Sequence, residues 1–217
     1  MSANLYVTWE EFANWLDDAG ASKLTDANGA DRRVMFERLI EAASRSVDSD
    51  TGRIFYLQTA TTRRYYPDPI GRVPVVDLLK TPTPTILVDT DGTGTPSTPL
   101  AATDYTLLPF TDDNSPTTST RSTMIRPSRT SARLFVPGYP LDVTGSWGYV
   151  GPDGRAPAGI QTAVCIKAAR LYMRRRAVLG RAVVLEAGLS EGLSKSDPDY
   201  WDAIQPFVLD SVRFEMS

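Results

Sequence analysis

The sequence predicts an α+β fold: a helical core of two long helices, with short helices near the N- and C-terminal ends, and a β-rich insertion between the long helices. Three observations carry this. Residues 31–50 and 157–179 repeat apolar side chains at helical spacing. Residues 57–150 are instead rich in Thr, Pro, Ser and β-branched residues, in short runs broken by turns. Helix-capping signals stand near residues 8 and 197. On this reading residues 1–217 are a single domain, made of N-terminal helices (1–56), the β-rich insertion (57–150), a central helix (157–179) and a C-terminal docking segment (197–217).

Thr8 and Glu11 have the spacing of a capping box, and Val7 and Phe12 that of a hydrophobic staple, so a short helix is expected from about residue 9 to 18. Phe12, Trp15 and Leu16 form its apolar side. Trp9 and Trp15 fit a stacking platform, although core or subunit contact is the commoner use of such residues. A loop with Gly20, Asn28 and Gly29 leads to the second helix, 31–50. Its stripe is Phe36, Leu39, Ile40, Ala43 and Val47, Glu41 precedes Arg45 by four, and Gly52 is placed to cap its end. A single stripe implies that this helix lies against the central one.

Strand-like runs follow at 59–66, 73–79, 85–90, 105–108, 123–126, 132–136 and 141–149, and the polar stretch 110–121 reads as a loop or hairpin tip. Asp89, Asp91 and Gly92 begin like a calcium loop, but the glycine comes two positions early and the twelfth position is Leu100 rather than Glu, so a hairpin turn explains them better. Arg63, Arg64, Tyr65 and Tyr66 mix bases with aromatics as a single-strand binder does. In a strand, however, alternation sends them to two faces.

Pro157 suits the first turn of the central helix, and no breaker interrupts 160–176. Val164, Cys165, Ala168, Leu171 and Tyr172 form one apolar face, Ile166, Ala169 and Met173 a second, and Lys167, Arg170 and Arg174 the only polar stripe. A helix apolar over most of its girth is packed on two sides. Arg174, Arg175 and Arg176 make its end basic, which suits a helix C-terminus or a contact with an acidic partner or DNA. Residues 180–192 read as a connection or a short helix. Asp197 and Pro198 then start a helix bearing Tyr200, Trp201 and Ile204, which Pro206 stops. Asp197, Asp199 and Asp202 fit a solvated helix start better than a metal site. Residues 207–214 are apolar for a chain end, and such a terminus usually docks onto something.

The chain has no histidine and one cysteine, which removes Ser-His-Asp and Cys-His catalysis, His-ligated metal, thiolate clusters and intrachain disulfides. Cys165, on an apolar helix face, reads as a small buried hydrophobe. A net charge of -3 argues against a dedicated nucleic-acid binder. No signal peptide or membrane-spanning run is read, so the expectation is a soluble protein made in a reducing cytoplasm, without cofactor, metal or membrane partner, and not an enzyme.

The order of elements resembles the head-tail connector (adaptor, or head-completion) proteins of tailed bacteriophages. Three places carry the resemblance: the helix end AASRSVDSDTGRIFY (42–56) with the polar strand TATTRRYYP; the strand start at Asp104 and Tyr105; and VTGSWGYV, a proline-containing gap and a basic-ended helix (143–176). Together they span about 31–178. The long β insertion and the region after Arg176 depart from the shorter members. The resemblance implies a structural virion protein, assembled in the bacterial host cytoplasm and located in the neck. It implies a homo-oligomeric ring beneath the portal, a dodecamer in the virion, that joins the portal protein to the next connector, stopper or tail protein. Double-stranded DNA passes through the lumen without sequence recognition. Trp201, Phe207, Leu209 and Phe214 are then expected at the portal or neighbour contact, and Arg174, Arg175 and Arg176 toward an acidic partner or DNA. The alternatives are a tail-terminator or tail-tube-type ring subunit, a nucleic-acid module using Arg63, Arg64 and the basic helix end, and an enzyme working with carboxylates alone.

Overall fold

The computed structural model describes residues 4–18, 29–108, 121–128, 135–151, 153–179 and 198–209. The chain divides into two compact units: Met1–Tyr56 with Val150–Ser217, and Leu57–Tyr149.

The first unit is helical. Thr8 and Glu11 close the capping box, with Thr8 N–H donating to Glu11 Oε2 (2.8 Å) and Glu11 N–H to Thr8 Oγ1 (3.2 Å), and open α1, Trp9–Asp18. Helix α2 runs Gly29–Thr51 and ends at Gly52, whose left-handed φ of 69° lets its N–H reach Asp48 O at 2.8 Å. Helix α3 is Ala158–Leu179, and α4 is Pro198–Ile204, continued by a 3-10 turn over Gln205–Phe207 around Pro206. Phe36, Ile40, Ala43 and Val47 of α2 are buried against Ile160, Val164, Ala168 and Tyr172 of α3 and Phe12 and Leu16 of α1. The ring of Phe36 joins all three helices, edge-to-face with Phe12 (5.2 Å) and with Tyr172 (5.8 Å). Helix α4 adds Tyr200 and Ile204 to the buried set. Arg45 turns to Asp48 (3.1 Å) and to Asn4 O (2.9 Å), between the rings of Tyr6 and Tyr56, rather than to Glu41.

The second unit is a seven-stranded antiparallel sheet: β1 Gln58–Tyr65, β2 Val73–Leu79, β3 Thr85–Val88, β4 Thr98–Pro99, β5 Tyr105–Leu108, β6 Arg121–Pro127 and β7 Leu141–Trp147. The order is β4-β3-β7-β2-β6-β5, with β1 on β7 as well, so β7 touches three strands. Two bulges help curl the sheet into a half-barrel. Between Gln58 and Thr61 three steps of β1 oppose two of β7, with Ala60 at φ 50°; β2 shifts register between Pro74 and Leu78, with Asp77 at φ 53°. Gly145, mid-strand in β7, allows a close approach: a Cβ there stands 2.9 Å from Leu78 Cδ1 and 3.2 Å from Pro84 Cβ. Trp147 is fully buried, its indole N–H donating to Thr61 O (2.8 Å) with the Arg63 guanidinium 4.2 Å from its ring centroid.

This overturns the expectation of one helical core, built on two long helices, with a β insertion projecting from it. The inward side chains of the strands, among them Val73, Leu78, Ile86, Ile125, Leu141, Val143 and Trp147, form a hydrophobic core of their own. Such a sheet is a body in its own right rather than an appendage. The helical unit, in turn, is built by four helices, because α1 and α4 supply fully buried side chains and not only flanking turns.

Candidate functional site

The candidate site is a groove of about 340 Å³ in the helical unit, where the end of α2 meets α3 and α4. Asp50 comes from α2, Ile166, Lys167, Arg170, Leu171 and Arg174 from α3, and Tyr200 and Trp201 from α4. Helical periodicity sets this lining: residues 167, 170, 171 and 174 follow the three- and four-residue spacing that keeps side chains on one face.

A polar tie closes one end. Lys167 Nζ lies 2.7 Å from Asp50 Oδ2 and 3.3 Å from Tyr200 Oη, and the Tyr200 hydroxyl donates a hydrogen bond to the same Asp50 oxygen. The ammonium also sits 4.6 Å from the Tyr200 ring centroid. Burial, reinforced by the hydrogen bond to Asp50, pushes the Tyr200 phenol well above its ordinary range, so it stays protonated and keeps donating. The Lys167 charge is thus matched inside the chain. Arg174, exposed on the rim, has no partner among the described residues. Trp201 is half-buried, its ring edge-to-face with Tyr200 at 5.5 Å. The groove therefore offers an apolar floor (Ile166, Leu171), an aromatic wall and a cationic rim, a surface suited to binding.

The structure brings together two residues that the sequence named for separate reasons, Trp201 and Arg174. The backbones of Arg175 and Arg176 continue α3. Phe207 and Leu209 are placed against their own chain. The ring of Phe207 packs edge-to-face on Phe55 (5.9 Å), its carbonyl accepts from Arg53 Nε (2.8 Å), and Leu209 N–H donates to Thr51 O (3.0 Å). Gly159 permits that approach, since a Cβ there stands 3.2 Å from the Phe207 ring. Both residues are half-buried, leaving part of each side chain for a neighbour. Phe214 and Asp197 lie outside the described residues, as does the expected 110–121 loop apart from Arg121. Asp50, Lys167 and Tyr200 were not singled out as a group, because the partners are 117 and 150 residues apart in sequence.

The other charged candidates serve the fold. Arg64 pairs with Asp142 through two hydrogen bonds (2.8 and 2.9 Å), while Arg63 covers Trp147, so the basic-aromatic cluster splits between faces. Asp89 accepts from the N–H groups of Asp91, Gly92 and Gly94 within the β3–β4 connection. Tyr6 donates to Asp48, and burial raises both groups. Cys165 is buried, its thiol pushed up to about 11 by desolvation, far from the range of a reactive thiolate. Among the described residues no group of three or more Asp, Glu or Cys side chains is placed to hold a metal, and no helix is long and apolar enough to cross a membrane.

No protein-family model and no curated protein matches the chain. Among solved structures, the fold is similar to that of a chain in the neck of an empty GTA particle computed with C6 symmetry, with a TM-score of 0.55 and 18% sequence identity. The likeness covers 94% of this chain and 89% of that one.

Proposed function

We propose that this chain is a structural neck protein of a phage-like particle, an adaptor that forms a ring beneath the portal and joins it to the next neck or tail protein. DNA passes through the lumen of that ring without sequence recognition. The observation that carries the proposal is the extent of the fold likeness: it covers 94% of the chain, and so takes in both the helices and the sheet of a neck component. A neighbour averaged with C6 symmetry fits a ring of six copies or a multiple of six, twelve among them.

The same proposal holds that the chain is not an enzyme. Three of its part-buried acids serve structure: Asp48 faces Tyr6 and Arg45, Asp50 faces Lys167 and Tyr200, and Glu11 caps α1 and meets Arg155 at 2.5 Å. The groove between α2, α3 and α4 is the contact surface we assign to the portal or to a neighbouring subunit, with Trp201 as its aromatic anchor and Arg174 at its rim. We assign the exposed parts of Phe207 and Leu209 to the same kind of contact.

Deletion of the gene in a particle-producing host tests this. The expected result is DNA-containing heads that carry portal but no attached tails, restored by the gene supplied in trans. Normal numbers of complete tailed particles lacking the protein would refute it.

A further inference from the structure

The sheet unit is apolar at two opposite ends. At one end, residues 66–72 join β1 to β2 in a braced loop. The Asp68 carboxylate accepts from the N–H groups of Ile70 (3.0 Å) and Arg72 (2.7 Å) and from Arg72 Nε (2.9 Å), while Asp68 N–H donates to Arg72 O (2.7 Å). Pro67 is buried beneath it. This brace holds two large side chains out in solvent, Tyr66 at 58% and Ile70 at 68% exposure. Held four residues apart on one braced loop, the two side chains form a small apolar knob.

At the other end of β1 lies an open groove of about 430 Å³, lined by Leu57, Ala60, Leu79, Pro82 and Gly145 together with Thr and Ser side chains. The register shift of β1 against β7 between Gln58 and Thr61 lies in its wall, with Ala60 at φ 50°. Leu57, 45% exposed, stands at the rim. The rest of β1, from Ala60 to the tip at Tyr66, separates groove from tip by roughly 20 Å at the rise of an extended strand.

We propose that the Tyr66–Ile70 tip of one copy seats in the Leu57–Gly145 groove of the next, so that successive subunits join head to tail through their sheets. The occupant is a second copy of this chain because the chain carries both halves, knob and socket, at opposite ends of one strand. Two different patches in contact make a heterologous interface, which closes into a ring when the rotation allows. The contact is small: an aromatic side chain such as Tyr66 buries on the order of 150–250 Å², well below the roughly 1,200 Å² of a stable pair. A contact of this size is too weak to hold an isolated dimer and is secured when the ring closes. The inference rests on the ring-forming adaptor reading and names one of its subunit contacts.

Cross-linking tests it in rings assembled on isolated portal. In a Cys165→Ser background, Ile70→Cys and Leu57→Cys are introduced singly and together, and the rings are treated with a short bis-maleimide. The double variant is expected to give a ladder of oligomers up to the full ring, a mixture of the single variants to give dimers only, and each single variant alone to give none. Rings of correct mass without a ladder overturn the contact while leaving the adaptor reading intact, as do dimers from Ile70→Cys alone or links from that variant to the portal. Failure of the unmodified chain to assemble on the portal removes the ring reading and this contact with it. Independently, Ile70→Asp is expected to lower ring occupancy at a fixed concentration at least tenfold with unfolding unchanged; full occupancy would contradict the contact.

Discussion

Replacing Phe36 by Ala tests how the helical unit is held together. Phe36 is 2% exposed, with ring centroids 5.2 Å from Phe12 at 83° and 5.8 Å from Tyr172 at 79°. Emptying such a site costs about 3–5 kcal/mol in lost transfer energy and cavity formation. The two edge-to-face contacts account for about 0.5–1.5 kcal/mol each within that total. For a chain of this length the loss lowers the melting temperature by roughly 6–20 °C. Urea unfolding followed by far-UV circular dichroism reads the change directly. Phe36→Leu, which restores most of the volume without the ring, is expected to recover more than half of it. A cost below about 1 kcal/mol for Phe36→Ala would mean that α1, α2 and α3 do not converge on this ring, and would refute the packing described above.

The other predictions concern the sheet, the groove and the first helix. Gly145→Ala puts a methyl 2.9 Å from Leu78 Cδ1 and 3.2 Å from Pro84 Cβ, and is expected to cost about 1–3 kcal/mol by overpacking, measured by the same unfolding assay. Burial holds the Tyr200 phenol protonated, so its stabilisation is complete below pH 10 and is lost as pH rises through the higher folded value. Tyr200→Phe is therefore expected to be less stable at neutral pH, by about 1.5 kcal/mol, and to lose less stability on alkaline titration than the parent. Burial pushes the Glu11 carboxyl up, but the Thr8 N–H and the Arg155 guanidinium outweigh it and hold it below its ordinary 4.5. Its contribution is present above pH 4.5 and lost as pH falls through the lower folded value, so melting curves of Glu11→Gln are expected to converge with the parent's in acid. Arg174→Glu is expected to weaken binding to portal rings at least tenfold in a pull-down while leaving the melting temperature unchanged.

Much of the helical architecture was legible because its signals are local. The Thr8–Glu11 box, the Phe36-to-Val47 stripe and Gly52 each specify a feature within a few residues, and all three stand as read. The sheet was legible only as strands. β4, two residues long, carries no periodic signal, and the described end of the 132–136 run, Phe135 and Val136, is core and bend rather than strand. The curl was hidden, since it depends on left-handed backbone at Ala60 and Asp77, whose residue types do not announce it. What made the β region a separate body is likewise non-local: Leu78 and Trp147, paired across strands, are 69 residues apart (147 − 78). At the site, Trp201 and Arg174 stood out by type and position. The Asp50–Lys167–Tyr200 tie did not, because α2, α3 and α4 must pack before those three polar groups meet. The apolar residues after Pro206 were read as a docking surface, and the structure shows Phe207 and Leu209 already engaged with Phe55 and Thr51 of the same chain.

The most direct test of the neck-adaptor account is the mass of the complex formed when the purified chain is mixed with isolated portal rings, measured beside the mass of the chain alone. The account predicts a discrete complex carrying about one copy of the chain per portal subunit. A chain that stays monomeric and leaves the portal mass unchanged at every concentration would contradict it.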